Sequence, residues 1–311
     1  MTELTPFGIA LRKLRIEKGL RLLDVARVLD VSAAFLSAIE IGKKPIPAGF
    51  VSRISRALAL SDLQTEELRK AADRTRTEVR VGHRKEDDRE LIAAFARRLD
   101  DLPPELREKL KKLLMSAADE VPFARKRRGI AVPPLSTKAI RQFAEAIRKS
   151  FVAPDRIDFP IIEVIEWYMP IIDPDFSFAV QSLSEMGNNE GLVPIGQSRL
   201  MLREDVYVGA CEDNPRARFT ACHELAHYLM HRKISFARAR DDGDKIFIDS
   251  EWQADTFAGT LLMSQMHAPR FRDATDMAEK CKVSKHAAQV MWGKYLDDGI
   301  ISRAPQLPGL F

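Results

Sequence analysis

No stretch of this chain approaches the roughly 18 consecutive apolar residues that a membrane-spanning helix needs. Its start, with Glu3 and the cluster Arg12, Lys13 and Arg15, does not resemble a secretory signal. A soluble protein that stays in the cytoplasm is the expectation. Only three cysteines occur, Cys211, Cys222 and Cys281, at neither metal-ligand nor disulfide spacing. Such a set excludes a disulfide scaffold and suits a reducing compartment, where thiols pack as small apolar residues. No internal repeat marks a solenoid. The net charge of +4 over 311 residues is too small to define a partner by itself.

The length fits two domains and a connecting segment, and a hydrophobic content of 45% supplies well-packed cores. Charge is unevenly spread. Residues 1–82 hold 15 Lys and Arg against 10 Asp and Glu, whereas the remainder holds 34 against 35, so the positive excess sits wholly at the N-terminus. An excess of that kind suits a polyanion such as DNA, and equally an ordinary solvated helical surface. From Pro6 to Arg74 the apolar residues recur at helical spacing, broken at Gly19, at Val31-Ser32 and between Gly42 and Pro47, which predicts four or five short helices. Residues 76–134 are highly charged, with amphipathic helical patterns (Leu91, Phe95, Leu99; Leu106, Leu110, Leu113), and 125–134 reads as an exposed basic linker. A second domain begins near Leu135 with a helix through Ile140, Phe143, Ala144 and Ile147 and another around 161–167. Short apolar runs between Phe176 and Val208, among them 199–203, predict a small sheet, and helical spacing returns from Arg216 onward.

The sharpest feature is His223-Glu224-Leu225-Ala226-His227. Positions four apart share one face of a helix, so both imidazoles can address a single ion while Glu224 reaches a water held on it. A catalytic zinc usually takes three protein groups and leaves one position for water. Glu251 is the candidate third ligand. It stands 24 residues beyond His227 and just after Asp249-Ser250, a pair able to cap a helix. Asp255, one turn further on, could accept the free ring N–H of a liganding histidine. His231 is set aside as a ligand, because residues at i, i+4 and i+8 spread over about 12 Å of helix axis; it reads as a helix-end residue. Cys222 reads as a packed small residue, and Tyr207 or Tyr228 as a donor to a tetrahedral oxyanion.

The run from Arg218 to His231, with 251–258 and Leu261-Leu262-Met263, resembles the ImmA/IrrE family of metallopeptidases, and the likeness extends over roughly residues 140–300. The resemblance implies Zn2+ held by His223, His227 and Glu251, with Glu224 catalytic, and a role in cleaving repressors after stress. Cys222 stands where an alanine is usual. Over residues 6–72, Leu11 to Arg15, Gly19-Leu20, Asp24-Val25-Ala26, 29–32, 36–42 and Pro47 together resemble a lambda-repressor-like, Xre-family helix-turn-helix. In that fold 22–29 braces a recognition helix capped by Ser32 and running from Ala33 to about Ile39. The resemblance gives Ala33, Ala34 and Ser37 as base-facing and Arg12, Arg15, Arg21, Lys43 and Lys44 as phosphate contacts. Ala33, Ala34 and Ser37 offer few hydrogen bonds for base reading, and Arg21-Leu22 replaces the usual Thr-Gln.

The expected architecture is mainly α: an N-terminal all-α helix-turn-helix domain (1–75), a charged helical connector (76–134), and an α+β zincin-like domain with a small sheet (135–311). The expected function is a dimeric, DNA-binding transcription regulator whose zinc endopeptidase hydrolyses a repressor, an antitoxin-like protein or its own basic linker at 124–134. The alternative is a non-proteolytic, zinc-binding or zinc-sensing transcription factor. An acidic base beside the histidines favours hydrolysis, since a structural site tends to close its fourth position with cysteine.

Overall fold

The computed structural model of the chain describes residues 4–77, 130–194, 196–231, 238–239 and 246–302. The helical patterns expected at 91–113 and the basic run 125–128 lie outside the described residues.

Helix α1 (Pro6–Glu17) starts where the Thr5 hydroxyl accepts the Gly8 N–H at 3.0 Å, with Pro6 in the first position, where no intrahelical donor is needed. A Cβ at Gly8 would lie 2.1 Å from the carbonyl oxygen of Glu40, so α1 crosses the end of α3 at a distance only glycine permits. In α2 (Leu22–Val28) the Asp24 carboxylate accepts the Arg21 N–H, and in α3 (Ala33–Glu40) Ser32 accepts from Phe35, the cap read from the sequence. Helices α4 (Phe50–Ala57) and α5 (Asp62–Thr77) complete five helices in this segment, closed around Phe7, Leu11, Leu36, Ile39 and Ile54.

Residues 130–132, read as exposed linker, are instead docked. Strand β1 (Ile130–Ala131) pairs antiparallel with β5 (Arg238–Ala239), Val132 is buried, and its N–H donates to Ile248 O at 2.8 Å. Helix α6 (Thr137–Phe151), capped by Ser136, follows. Next come α7 (Ile161–Glu163), a π-helical segment over Val164–Tyr168, and α8 (Met169–Ile172). The sheet holds β2 (Ser177–Gln181), β3 (Gly191–Leu192) and β4 (Arg199–Arg203) in the order β2–β4–β3, with β2 parallel and β3 antiparallel to β4; α9 (Leu183–Met186) links β2 to β3. Successive residues of a strand point to opposite faces, and in β4 both faces are buried. Leu200 and Leu202 enter the main core, while Met201 joins Ala179, Met186 and Leu192 in a cluster closed by Ile41 and Leu4 of the N-terminal segment.

Beyond the sheet lie α10 (Glu204–Cys211), α11 (Pro215–Ala226), a π-helical segment over His227–His231, α12 (Ser250–Leu262), α13 (Ala274–Cys281) and α14 (Lys285–Asp297). Helix α12 packs against both α6 and α11, burying Leu225, Ala254, Phe257, Ala258 and Leu261 between them. The architecture is therefore mainly helical with a small sheet. No helix among the described residues is long and apolar enough to cross a membrane.

Candidate functional site

Local sequence fixes the two helices that meet at the site. Asn214 caps α11 by accepting the Arg216 and Ala217 N–H groups, and Pro215 takes the first helical position. Asp249 caps α12 by accepting the Glu251 N–H at 2.9 Å, which places Glu251 in the first turn. With the helices packed side by side, His223 Nε2 lies 2.9 Å from His227 Nε2 and 3.3 Å from Glu251 Oε2, and His227 Nε2 lies 3.4 Å from Glu251 Oε1. Four ligands at zinc–ligand distances of about 2.0–2.1 Å in a tetrahedron stand about 3.3–3.4 Å apart. The two imidazole–carboxylate separations, one to each Glu251 oxygen, match that figure, and the imidazole pair stands closer than it by about 0.4 Å.

The hydrogen bonds behind the histidines settle their tautomers. The Gln253 amide nitrogen donates to Pro133 O at 2.9 Å and to Phe247 O at 2.8 Å, so its Oε1 faces His231 Nε2, 3.0 Å away, and accepts from it. Burial foremost pushes the His231 pKa down to about 4. A neutral ring with its proton on Nε2 presents an Nδ1 lone pair, and that atom lies 3.0 Å from His227 Nδ1. His227 therefore donates from Nδ1 and keeps a lone pair on Nε2. Asp255 Oδ1 stands 2.8 Å from His223 Nδ1 and imposes the same tautomer there. Two lone pairs 2.9 Å apart beside a carboxylate repel unless a cation lies between them. That is the ion-holding form. Without the ion, although burial by itself would lower it, hydrogen bonds to Asp255 and Glu251 push the His223 pKa up to about 10, and Nε2 protons hold Glu251 well below the usual carboxylate range. An incoming cation therefore displaces protons from the ring nitrogens.

His231 ends the described helical run, as expected, but its surroundings were not expected. It is buried in the π-helical segment and bonded to His227. No pattern of apolar residues signals that segment; the third histidine, four residues on, was the one available hint. Gly191 was also missed. A Cβ there would lie 2.3 Å from Glu224 Cγ and 3.0 Å from its Oε1, so β3 presses its bare backbone onto the buried carboxylate. Neither tyrosine considered as an oxyanion donor faces the site. Tyr207 OH donates to Glu166 at 2.6 Å and Tyr228 OH to Asp173 at 2.8 Å. Cys222 is fully buried as a small packed residue. Beside Asp255, a cleft of about 730 Å³ lies between α11, α12 and α14, lined by Phe219, Trp252, Met263, Val290 and Met291.

Residues 6–68 match the family model described as a helix-turn-helix domain, and residues 182–292 match the peptidase-family model described as an IrrE N-terminal-like domain. The chain joins a helix-turn-helix domain to an IrrE-like domain. The second match is narrower than the span of the resemblance and includes His223, Glu224, His227, Glu251 and Asp255. Comparison with curated proteins and with solved structures returns no match for the chain.

The helix-turn-helix residues expected at DNA lie against the C-terminal part of the chain, within the IrrE-like match and just before it. Ala33, Ala34 and Ser37 of α3 are buried, the last two by direct bonds: the Ala34 N–H donates to Glu204 at 2.8 Å, and Ser37 Oγ accepts the Val180 N–H at 2.9 Å. Arg12 donates to Phe178 O at 3.3 Å. Arg15 bridges Glu40 and Glu166, at 3.1 and 2.8 Å, and Glu166 also accepts the Leu22 N–H. Arg21 donates to Cys211 O at 3.1 Å, and Lys43 to Glu185 at 3.1 Å. Lys44 remains exposed, its ammonium 5.1 Å from the centre of the Phe35 ring. In this arrangement Arg12, Arg15, Arg21, Ala33, Ala34, Ser37 and Lys43 are engaged within the protein, a correction to the exposed face expected from sequence.

Proposed function

We propose that the protein is a DNA-binding regulator carrying a zinc-dependent endopeptidase, which hydrolyses a repressor or a similar regulatory protein, or its own connector, in a stress response. The observation that carries this reading is the triangle of His223 Nε2, His227 Nε2 and a Glu251 carboxylate oxygen beside Glu224. The donor set suits zinc: two neutral imidazoles and one carboxylate, with no thiolate. When bound, zinc supplies Lewis acidity toward water and toward a scissile carbonyl. His223 and His227 hold the ion through Nε2 and Glu251 through its carboxylate. Glu224, next to His223 in the same helix, accepts a proton from the attacking water and passes it to the leaving amine. Strand β3 forms the edge of the sheet beside Glu224, where an extended substrate segment can add as a further strand. The apolar cleft beside Asp255 has the size and lining to take a large substrate side chain.

Two expected outcomes test parts of this site. Asp255→Ala removes the acceptor for His223 Nδ1 from a half-exposed position, so the fold persists while zinc affinity falls by about 10–100-fold in a chelator competition. Gly191→Ala pushes a methyl group into Glu224. Its kcat falls by roughly 100-fold while zinc affinity stays within a few-fold of wild type, because the Glu224 carboxylate is displaced and the ligands are not. The assignment as a whole is tested by mapping new protein N-termini in cells expressing wild type or Glu224→Gln. Termini that depend on Glu224 name the substrate, and identical sets in the two strains reject proteolysis.

A further inference from the structure

We infer that the arrangement described above is a closed state, in which the IrrE-like domain covers the DNA-facing side of the helix-turn-helix, and that the two domains must part before DNA binds. The inference rests on the proposal that this helix-turn-helix binds DNA, and it adds the device that controls it.

Every residue of α3 except Phe35 is buried. A recognition helix reads a duplex by entering a major groove about 12 Å wide, and a helix with a β-sheet against its outer side has no room to do so. The contact is specific. Phe178 and Val180 lie two apart in β2, so the Phe178 carbonyl and the Val180 N–H point the same way, off the edge not paired with β4. Arg12 donates to the first and Ser37 accepts from the second. Two residues expected at DNA thus satisfy the open edge of the sheet. Charges follow the same plan. Arg15 meets Glu166, Arg21 stands 4.0 Å from Glu163, Arg27 pairs with Glu212, and Lys43 pairs with Glu185. Carboxylates of the C-terminal part of the chain therefore stand where the N-terminal positive excess would otherwise meet phosphate.

One buried group works against closure. Arg12 is buried, yet its Nε and Nη1 have no hydrogen-bond partner, and its nearest carboxylate oxygen, on Glu40, is 3.9 Å away. A buried, under-satisfied guanidinium disfavours the closed state relative to one in which water or phosphate completes its bonds. The apolar part of the contact includes a cluster of Leu4 and Ile41 on Ala179, Met186, Leu192 and Met201. The N-terminal core also joins the larger cluster that holds Phe178, Val180, Val206 and Tyr207, so opening exposes apolar surface as well. Opening exchanges polar contacts to carboxylates for polar contacts to a phosphate backbone.

The test uses the full-length chain and a labelled duplex of about 30 base pairs and mixed sequence at low salt, where phosphate contacts dominate binding. Glu204→Ala with Glu212→Ala loosens the contact from the IrrE-like side and leaves every helix-turn-helix residue and the metal centre intact. Asp155→Ala with Glu279→Ala makes the same change of net charge at exposed positions elsewhere. The expected result is that the first double variant binds DNA about fivefold more tightly than both wild type and the second, because a larger fraction of molecules is open. Hydrogen exchange of wild type needs no variant and should show the Val180 amide losing protection when DNA is added. Equal affinities for the two variants, with Val180 still protected in the complex, overturn the inference while leaving DNA binding intact. No binding by any of the three proteins rejects the DNA-binding reading itself, and the inference with it.

Discussion

Glu224→Gln is expected to retain zinc at the wild-type stoichiometry and to lower the rate of peptide hydrolysis by roughly 10²–10⁴-fold, the usual contribution of a positioned general base. The substitution keeps the shape of a side chain that sits under Gly191 and is almost wholly buried, so neither the β3 backbone nor the helix has reason to move. An amide cannot take the proton from water at neutral pH. The comparison should be made on zinc-loaded protein with the same peptide, reading kcat and KM separately. A fall confined to kcat assigns Glu224 to the chemical step. An unchanged kcat removes it from the mechanism and leaves the zinc-sensing alternative in place.

The largest expected effect on stability comes from Arg15→Ala. Arg15, Glu40 and Glu166 are each 1–2% exposed, and the guanidinium makes two bonds to Glu40 and one to Glu166. Removing the cation leaves two carboxylates buried with Tyr207 and the Leu22 N–H as the remaining donors, both on Glu166. Breaking a buried ion pair from one side costs about 3–5 kcal/mol. A residue whose task was to touch phosphate from an exposed helix would cost well under about 1 kcal/mol. Urea denaturation of wild type and variant separates these figures. A loss near the upper range places Arg15 in a buried ion network, and a negligible loss places it at a solvated surface.

These two residues also show how far sequence alone reaches. His223, Glu224 and His227 were legible because four-residue spacing on a helix is a geometric statement, and Glu251 because the preceding Asp249 marks a helix start. His231 was not. It stands outside the group of possible metal ligands, as expected, but the last turn is π-helical and turns that ring onto His227, a role that α-helical spacing does not suggest. Gly191 carries no chemistry and shows its role only when β3 is laid on α11. Periodicity and turn residues gave four or five N-terminal helices, of which there are five, but what covers them did not follow, because a basic helical face reads the same whether it meets phosphate or carboxylate. The composition of α3 held the one clue. Ala33, Ala34 and Ser37 are poor at reading bases, and the same small side chains let a helix approach β2 closely enough for Ser37 to take the Val180 N–H. Likewise Arg21-Leu22, an unusual pair for the fold, places Arg21 on Cys211 O and buries Leu22.

Zinc-edge X-ray absorption on purified full-length protein, with and without Glu251→Ala, tests the central claim most directly. The expected spectrum shows one zinc per chain in a four-ligand shell of nitrogen and oxygen near about 2.0–2.1 Å, with two imidazoles and no sulfur. It should lose its carboxylate contribution, and most of its metal after dialysis, in the variant. A sulfur shell, or a wild-type spectrum in Glu251→Ala, would show that the ion is held by other groups and that the hydrolytic centre built on His223, His227 and Glu251 is wrong.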